Sequence, residues 1–123
     1  MTLVLDDNNA NFQVQAFEPG QIKINEKIYT KSVIITANKI IDNWQPQSLE
    51  ELKKEHLLPI EEIQPSILII GVGEKLAFPN IEIYGHLINK NIGVEIMDTR
   101  AASRTYNALT AESRNVAAAL ILK

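Results

Sequence analysis

The sequence predicts an α/β fold in which an antiparallel β-meander is followed by a βαβαβ run. Three observations carry that expectation. Ile67-Leu68-Ile69-Ile70 is an unbroken apolar run that stops at Gly71-Val72-Gly73. Both of its faces want burial, as in a central strand covered by helices. A second unit of the same kind follows, an amphipathic stretch and then Gly93-Val94-Glu95-Ile96-Met97-Asp98, which makes a βαβ unit. Residues 12 to 30 alternate apolar and polar side chains instead, the pattern of antiparallel strands with one wet face.

Composition narrows the class. With 123 residues, 46% of them hydrophobic, the chain can bury one core and falls short of two ordinary domains, so residues 1–123 are expected to form a single domain. The absence of cysteine excludes disulfides, Cys-based zinc sites, iron–sulfur ligation and thiol catalysis. Twelve basic against 15 acidic residues give a net charge of -3, without the basic concentration that nucleic acid or an anionic membrane surface selects. No apolar run approaches the ~20 residues of a spanning helix, and residues 1 to 11 carry Asp6 and Asp7 but no basic residue, unlike a targeting peptide. A cytoplasmic protein without membrane insertion is expected.

Residues 1 to 11 run from an apolar triplet into Asp6-Asp7-Asn8-Asn9, a cluster expected to be loosely ordered. Phe12, Val14 and Ala16 then alternate with Gln13 and Gln15, Pro19-Gly20 makes a turn, and Ile22 and Ile24 alternate with Gln21 and Lys23, which predicts a hairpin. Past the weaker turn Asn25-Glu26, Ile28 and Thr30 continue the alternation, and Ser32-Val33-Ile34-Ile35-Thr36 predicts deeper burial. Ile40-Ile41 is a short apolar pair, and the lone Trp44 is expected to plug the core rather than to serve as a ligand platform.

Ser48-Leu49-Glu50-Glu51 has capping-box spacing, predicting a short helix with Leu49, Leu52 and His56 on one face and an end at Pro59. His56 has no second ligand at metal-binding spacing and is expected at the rim. Residues 76 to 80 lead into a helix of about ten residues whose stripe of Ile81, Tyr84 and Ile88, with Ile83 and Leu87 beside it, is expected to pack on the sheet. Gly85 costs about 1 kcal/mol against Ala in a helix interior, which predicts a close approach to its backbone. His86 lies off the stripe, on the solvated side. After Gly93–Met97 come the N-cap residues Asp98 and Thr99, a packing face of Ala101, Ala102, Tyr106 and Leu109, and a closing strand over residues 116 to 122. The expected core is Ile67, Leu68, Ile69, Tyr84, Leu87, Val94, Ile96, Leu109, Ala119 and Ile121.

In open α/β sheets ligands lie beyond the carboxyl ends of parallel strands, next to helix N-termini. Here that edge comprises Gly71, Val72, Gly73 and Glu74 after one strand and Asp98, Thr99 and Arg100 after the next, and a right-handed crossover would set those strands side by side. Arg100, Arg104 and Asn107 share one polar helix face, with Arg104 as the cation that could hold an anion. Each residue also has a plainer reading. The glycines serve a tight turn, Asp98 caps its own helix, and Arg104 pairs internally with Glu74, Asp98 or Glu112, which is the favoured expectation. A dinucleotide site is excluded, because a third glycine is missing and Glu74-Lys75 and Phe78-Pro79 precede the helix. No Ser-His-Asp order, His-Glu-x-x-His motif, phosphate loop or close carboxylate pair is present, and neither a metal nor a cofactor is expected.

The segments Ile69-Ile70-Gly71-Val72-Gly73, Gly93-Val94-Glu95-Ile96-Met97-Asp98-Thr99, Arg104-Thr105-Tyr106-Asn107-Ala108-Leu109 and Glu112-Ser113-Arg114 together resemble the family of small domains typified by mitochondrial respiratory complex I assembly factor three. The likeness covers nearly the whole chain. That family also takes in uncharacterised bacterial and archaeal proteins and an adipogenesis-associated animal protein. The resemblance implies a three-layer α/β domain with a central mixed sheet and an added β layer, and it implies protein partners. Two positions depart from the pattern: Val72 stands where Thr is common, and Ser113 where Gly is expected at a helix exit. Two function classes follow. The favoured one is a non-enzymatic interaction or assembly-factor-like protein. The alternative is a small-anion or small-metabolite protein, an enzyme included, with its site at the carboxyl edge.

Overall fold

Three layers build the molecule in the computed structural model, which describes residues 10–123. Strands β1 (Val14–Glu18), β2 (Gln21–Ile24) and β3 (Lys27–Tyr29) form a small antiparallel sheet in sequence order. Strands β4 (Val33–Thr36), β5 (Lys39–Ile41), β6 (Ile67–Val72), β7 (Gly93–Met97) and β8 (Val116–Ile121) form the central sheet in the order β5-β4-β8-β6-β7. That sheet is mixed: β6 runs parallel to β7 and β8, whereas β4 runs antiparallel to β5 and β8. Two 3-10 turns (Leu49–Glu51 and Lys54–Leu57) lead to helix α1 (Leu58–Ile63), and α2 (Ile81–Ile88) and α3 (Thr99–Ala111) are the βαβ crossovers.

The period of two along each central strand sorts its side chains onto the two faces. Val33 and Ile35, Ile69, and Val116, Ala118 and Leu120 point to one core, shared with Val14, Phe17, Ile22 and Ile24 of the small sheet and with Ala102 and Tyr106 of α3. Ile34, Leu68, Ile70 and Val72, and Ala117, Ala119 and Ile121 point to the other, closed by Trp44, Leu52, Leu57, Ile60 and Leu87. The central strands read as continuous apolar runs because both faces are covered. Alanines dominate the middle of β8, so the layers on either side can approach it closely.

Several local expectations are corrected. A register shift between Val14 and Ala16 turns Phe17 inward and leaves Ala16 exposed, the effect of a bulge on strict alternation. The two-residue turn after β2 pairs Lys23 with Ile28 and Ile22 with Tyr29, so Tyr29 faces the core and Ile28 faces water. Ser48 makes no side-chain cap, and Glu51 accepts from the Gln47 amide instead. A side-chain cap lies further on, where His56 Nδ1 accepts from the Lys53 amide at 2.9 Å and the His56 amide donates to the Lys53 carbonyl at 3.0 Å. Pro59 opens α1 rather than ending a helix, since the first turn needs no N–H there.

Helix α2 has eight residues, and of the expected stripe only Leu87 is fully buried, with Ile81 and Ile88 exposed. A Cβ on Gly85 would meet only Ile81 Cγ1 at 3.6 Å, so nothing approaches that backbone closely. Val94 and Ile96 are half-buried because β7 is an edge strand, and Ile67, Tyr84 and Leu109 are half-buried as well. Other expectations hold. Trp44 is buried and its indole donates to the His56 carbonyl at 2.9 Å. Ser113 takes the left-handed turn (φ 60°) that closes α3, with Ser113 N–H donating to Thr110 and Arg114 N–H to Leu109. Of the stretch expected to be loose, residues 1 to 9 lie outside the described residues, and Asn11 donates its amide to the Ala37 carbonyl at 2.7 Å.

Candidate functional site

The carboxyl edge of β6 and β7 is assembled as the crossover rule requires, with the two strands adjacent and parallel. Its interior is filled by the chain itself. Asp98 caps α3 by accepting from the Ala101 amide at 2.9 Å. Thr99, fully buried, donates its backbone N–H to Gly73 O at 2.9 Å, and its hydroxyl accepts from Gly73 N–H at 2.8 Å while donating to Ile121 O. A Cβ at Gly71 would stand 2.9 Å from Thr99 Oγ1 and 3.1 Å from Ala102 Cβ. Gly73 has φ of +105°, and a Cβ there would fall 2.0 Å from Lys123 O. Both glycines are therefore explained by close contact within the protein. Glu74 is exposed and lines an open groove of about 280 Å³ with Ser48, Glu50, Lys75 and Lys123. Val72 offers that groove no hydroxyl.

Arg100, Arg104 and Asn107 lie elsewhere, on the side of α3 that faces β1, where they line a groove of about 260 Å³. Asn107 acts as a surrogate strand: its Oδ1 accepts from Val14 N–H at 3.0 Å and its Nδ2 donates to Val14 O at 2.7 Å. Arg100 donates to Phe17 O at 3.1 Å with its guanidinium 5.3 Å from the Phe17 ring centre. Tyr106, next on the helix, donates to Phe12 O at 2.7 Å, and burial holds its phenol above the ordinary tyrosine range. Arg104 has none of the expected ion pairs among the described residues; Glu112 stands 3.8 Å from Arg114 instead. The eight candidates thus form two groups, Gly71, Gly73, Glu74, Asp98 and Thr99 at the strand ends and the other three in the groove.

Two features escaped the sequence reading. Glu61 of α1 contacts Lys90 at 2.8 Å and His86 Nε2 at 3.3 Å, the latter a close charge contact without the angle of a hydrogen bond. Lys90 first, then His86, hold the Glu61 carboxyl below its ordinary value against partial desolvation. His86 is only 17% exposed, not solvated, because its partner comes from another helix and not from helical spacing. The second feature is apolar. Leu76 is 55% and Phe78 69% exposed in the connection from β6 into α2, and Ile81, the first residue of α2, is 60% exposed.

Comparison with known proteins places these features in context. Residues 14–121 match the family described as "Protein of unknown function (DUF498/DUF598)". The chain is 30% identical over 122 residues to the 13 kDa major membrane protein of Francisella tularensis subsp. holarctica (strain LVS), across 98% of this chain and 99% of that protein. It is 27% identical over 125 residues to NADH dehydrogenase (ubiquinone) 1 alpha subcomplex assembly factor 3 of Drosophila melanogaster, across 98% of this chain. It spans only 64% of that longer protein's length. A crystal structure of a Bordetella parapertussis protein superposes with a TM-score of 0.84 at 29% identity, over 91% of this chain and 96% of that one. Among the described residues no helix is long and apolar enough to cross a membrane.

Proposed function

The chain belongs to the DUF498/DUF598 family of proteins of unknown function, and from that membership we propose that it works as one non-enzymatic interaction domain of the assembly-factor kind, binding a protein partner. The likeness to a named assembly factor supports a protein partner. The observation that carries the reading is the exposure of Leu76 and Phe78 in the connection together with Ile81 at the start of α2. Scattered apolar residues on a surface are ordinary, but several large ones in one short stretch mark a contact surface. Rigid elements hold both ends of that stretch: β6 lies inside the central sheet, and Asn80 caps α2 by accepting from the Glu82 amide at 2.9 Å.

The test is capture from native extract with the wild type and with a Leu76→Ser, Phe78→Ser double variant, each followed by identification of the retained protein. Loss of one specific partner with an unchanged melting temperature supports the proposal. Retention of the same partners by both forms overturns it. The small-anion alternative draws its support from the groove beside Arg104 and not from the carboxyl edge, where Thr99 already satisfies the Gly73 amide.

A further inference from the structure

We propose that the groove between α3 and β1 is a binding site for a small carboxylate carrying an apolar body, with Arg104 as the exposed cation and Arg100 as the one held in place. Arg100 and Arg104 stand at i and i+4 on α3, and neither forms an ion pair among the described residues. Two like charges at that spacing repel one another. They remain unneutralised in a chain whose acidic residues outnumber its basic ones by 15 to 12. An anion between them would remove the repulsion.

The remaining groove chemistry narrows the class of anion. Arg100 is oriented by its bond to Phe17 O and its position over the Phe17 ring, which commits one of its five donors and leaves the others for a ligand. Ser103 donates its hydroxyl to Thr99 O, and the Asn107 amide is engaged with Val14, so these two neighbours hold the walls together. What is left toward the groove is the two guanidinium groups and the amide of the exposed Gln15, over Val14, Ala16 and Phe17. A planar carboxylate matches the guanidinium fork, and an apolar body matches that floor. A volume of about 260 Å³ suits a ligand of small-metabolite size. This inference is independent of the apolar connection at Phe78, which lies outside the groove.

The experiment follows backbone amide chemical shifts and melting temperature of the wild type, Arg104→Lys and Arg104→Ala during titration with benzoate, inorganic phosphate or sodium chloride at matched ionic strength. Saturable benzoate-specific shifts at Ala16, Phe17 and Ser103 are expected. Arg104→Ala should weaken benzoate at least about tenfold, the loss of one charge-assisted contact, and Arg104→Lys less. Arg104 is exposed, so Arg104→Lys should melt unliganded as the wild type does and Arg104→Ala no lower, since it also relieves the repulsion from Arg100, which certifies their folding. Shifts that do not saturate, shifts unchanged in Arg104→Ala, or an equal response to phosphate or chloride would each overturn the proposal.

Discussion

Replacing Thr99 by Val keeps the side chain's shape and removes one oxygen, and the structure gives that oxygen two buried tasks. It accepts from Gly73 N–H and donates to Ile121 O, tying the first turn of α3 to the ends of β6 and β8. Neither backbone group has water at hand to replace it, because Thr99 is fully buried. An unsatisfied buried donor or acceptor costs about 1–3 kcal/mol. Two such groups around one oxygen give an expected loss of about 2–4 kcal/mol, allowing for partial relaxation. With a urea dependence of about 1.5 kcal/mol/M for a chain this size, the unfolding midpoint should fall by roughly 1.3–2.7 M. Thr99→Ser keeps the hydroxyl and loses only a methyl, so it should cost about 1 kcal/mol. Midpoints of the three proteins, at constant slope, decide the matter. A Thr99→Val protein within about 0.5 kcal/mol of wild type, or one more stable than Thr99→Ser, would refute the reasoning and free that hydroxyl for a ligand.

Gly85→Ala should stabilise the protein by about 0.5–1 kcal/mol in the same assay, because a Cβ there meets only a 3.6 Å contact and the helix gains from losing a glycine; a loss would reveal a neighbour the structure does not contain. Ser113→Gly should raise stability by up to about 1 kcal/mol, since Ser113 holds φ of 60° in the left-handed closure of α3. A melting temperature lowered by that substitution would contradict the strain. Glu61→Gln tests the cluster between α1 and α2. Lys90 and His86 depress the folded carboxyl below 4.5, so its contribution is complete above the unfolded value and disappears as pH falls through the folded one. The stability gap between wild type and Glu61→Gln should therefore be full above the ordinary carboxylate range and shrink as pH falls below it; a gap unchanged on acidification would exclude the ion pairing.

The architecture was legible where burial is two-sided. Ile67-Leu68-Ile69-Ile70 and the alanine-rich end could only be central strands, and the spacing between them required helical crossovers. What failed were features set by the position of an element in the assembly. Val94 and Ile96 looked like core because a sequence does not say which strand is an edge. Ile81 and Ile88 sit on a helical stripe wider than the surface available to cover it. Of the two glycines expected in a tight turn, Gly73 takes it with φ of +105° whereas Gly71 lies inside β6, and their neighbours Thr99 and Lys123 come from other strand ends, beyond the reach of local pattern. The candidate set fell into two groups for a related reason. Helical spacing places Arg100, Arg104 and Asn107 on one face, but which way that face looks depends on the β1 layer that α3 meets. Glu61 with His86 and Lys90 left no local signal, being joined only by the packing of two short helices.

Strand β8 lies between β4 and β6, yet it follows every other element in the chain. During synthesis the hairpin β4–β5 and the pair β6–β7 therefore emerge as two unconnected halves of one sheet. Each half presents a bare apolar edge, the kind of edge that recruits foreign strands. At about 5–20 residues per second a ribosome takes several seconds to travel from β5 to β8, and the edges of β4 and β6 lack their β8 partner throughout. Insertion of six buried residues then pairs with β4 on one side and β6 on the other, completing the sheet in one event. A nascent chain stalled, or a mature one clipped, just before Val116 would carry every helix and the other seven strands of the described residues without the piece that joins them, which makes that boundary the point of commitment for the fold.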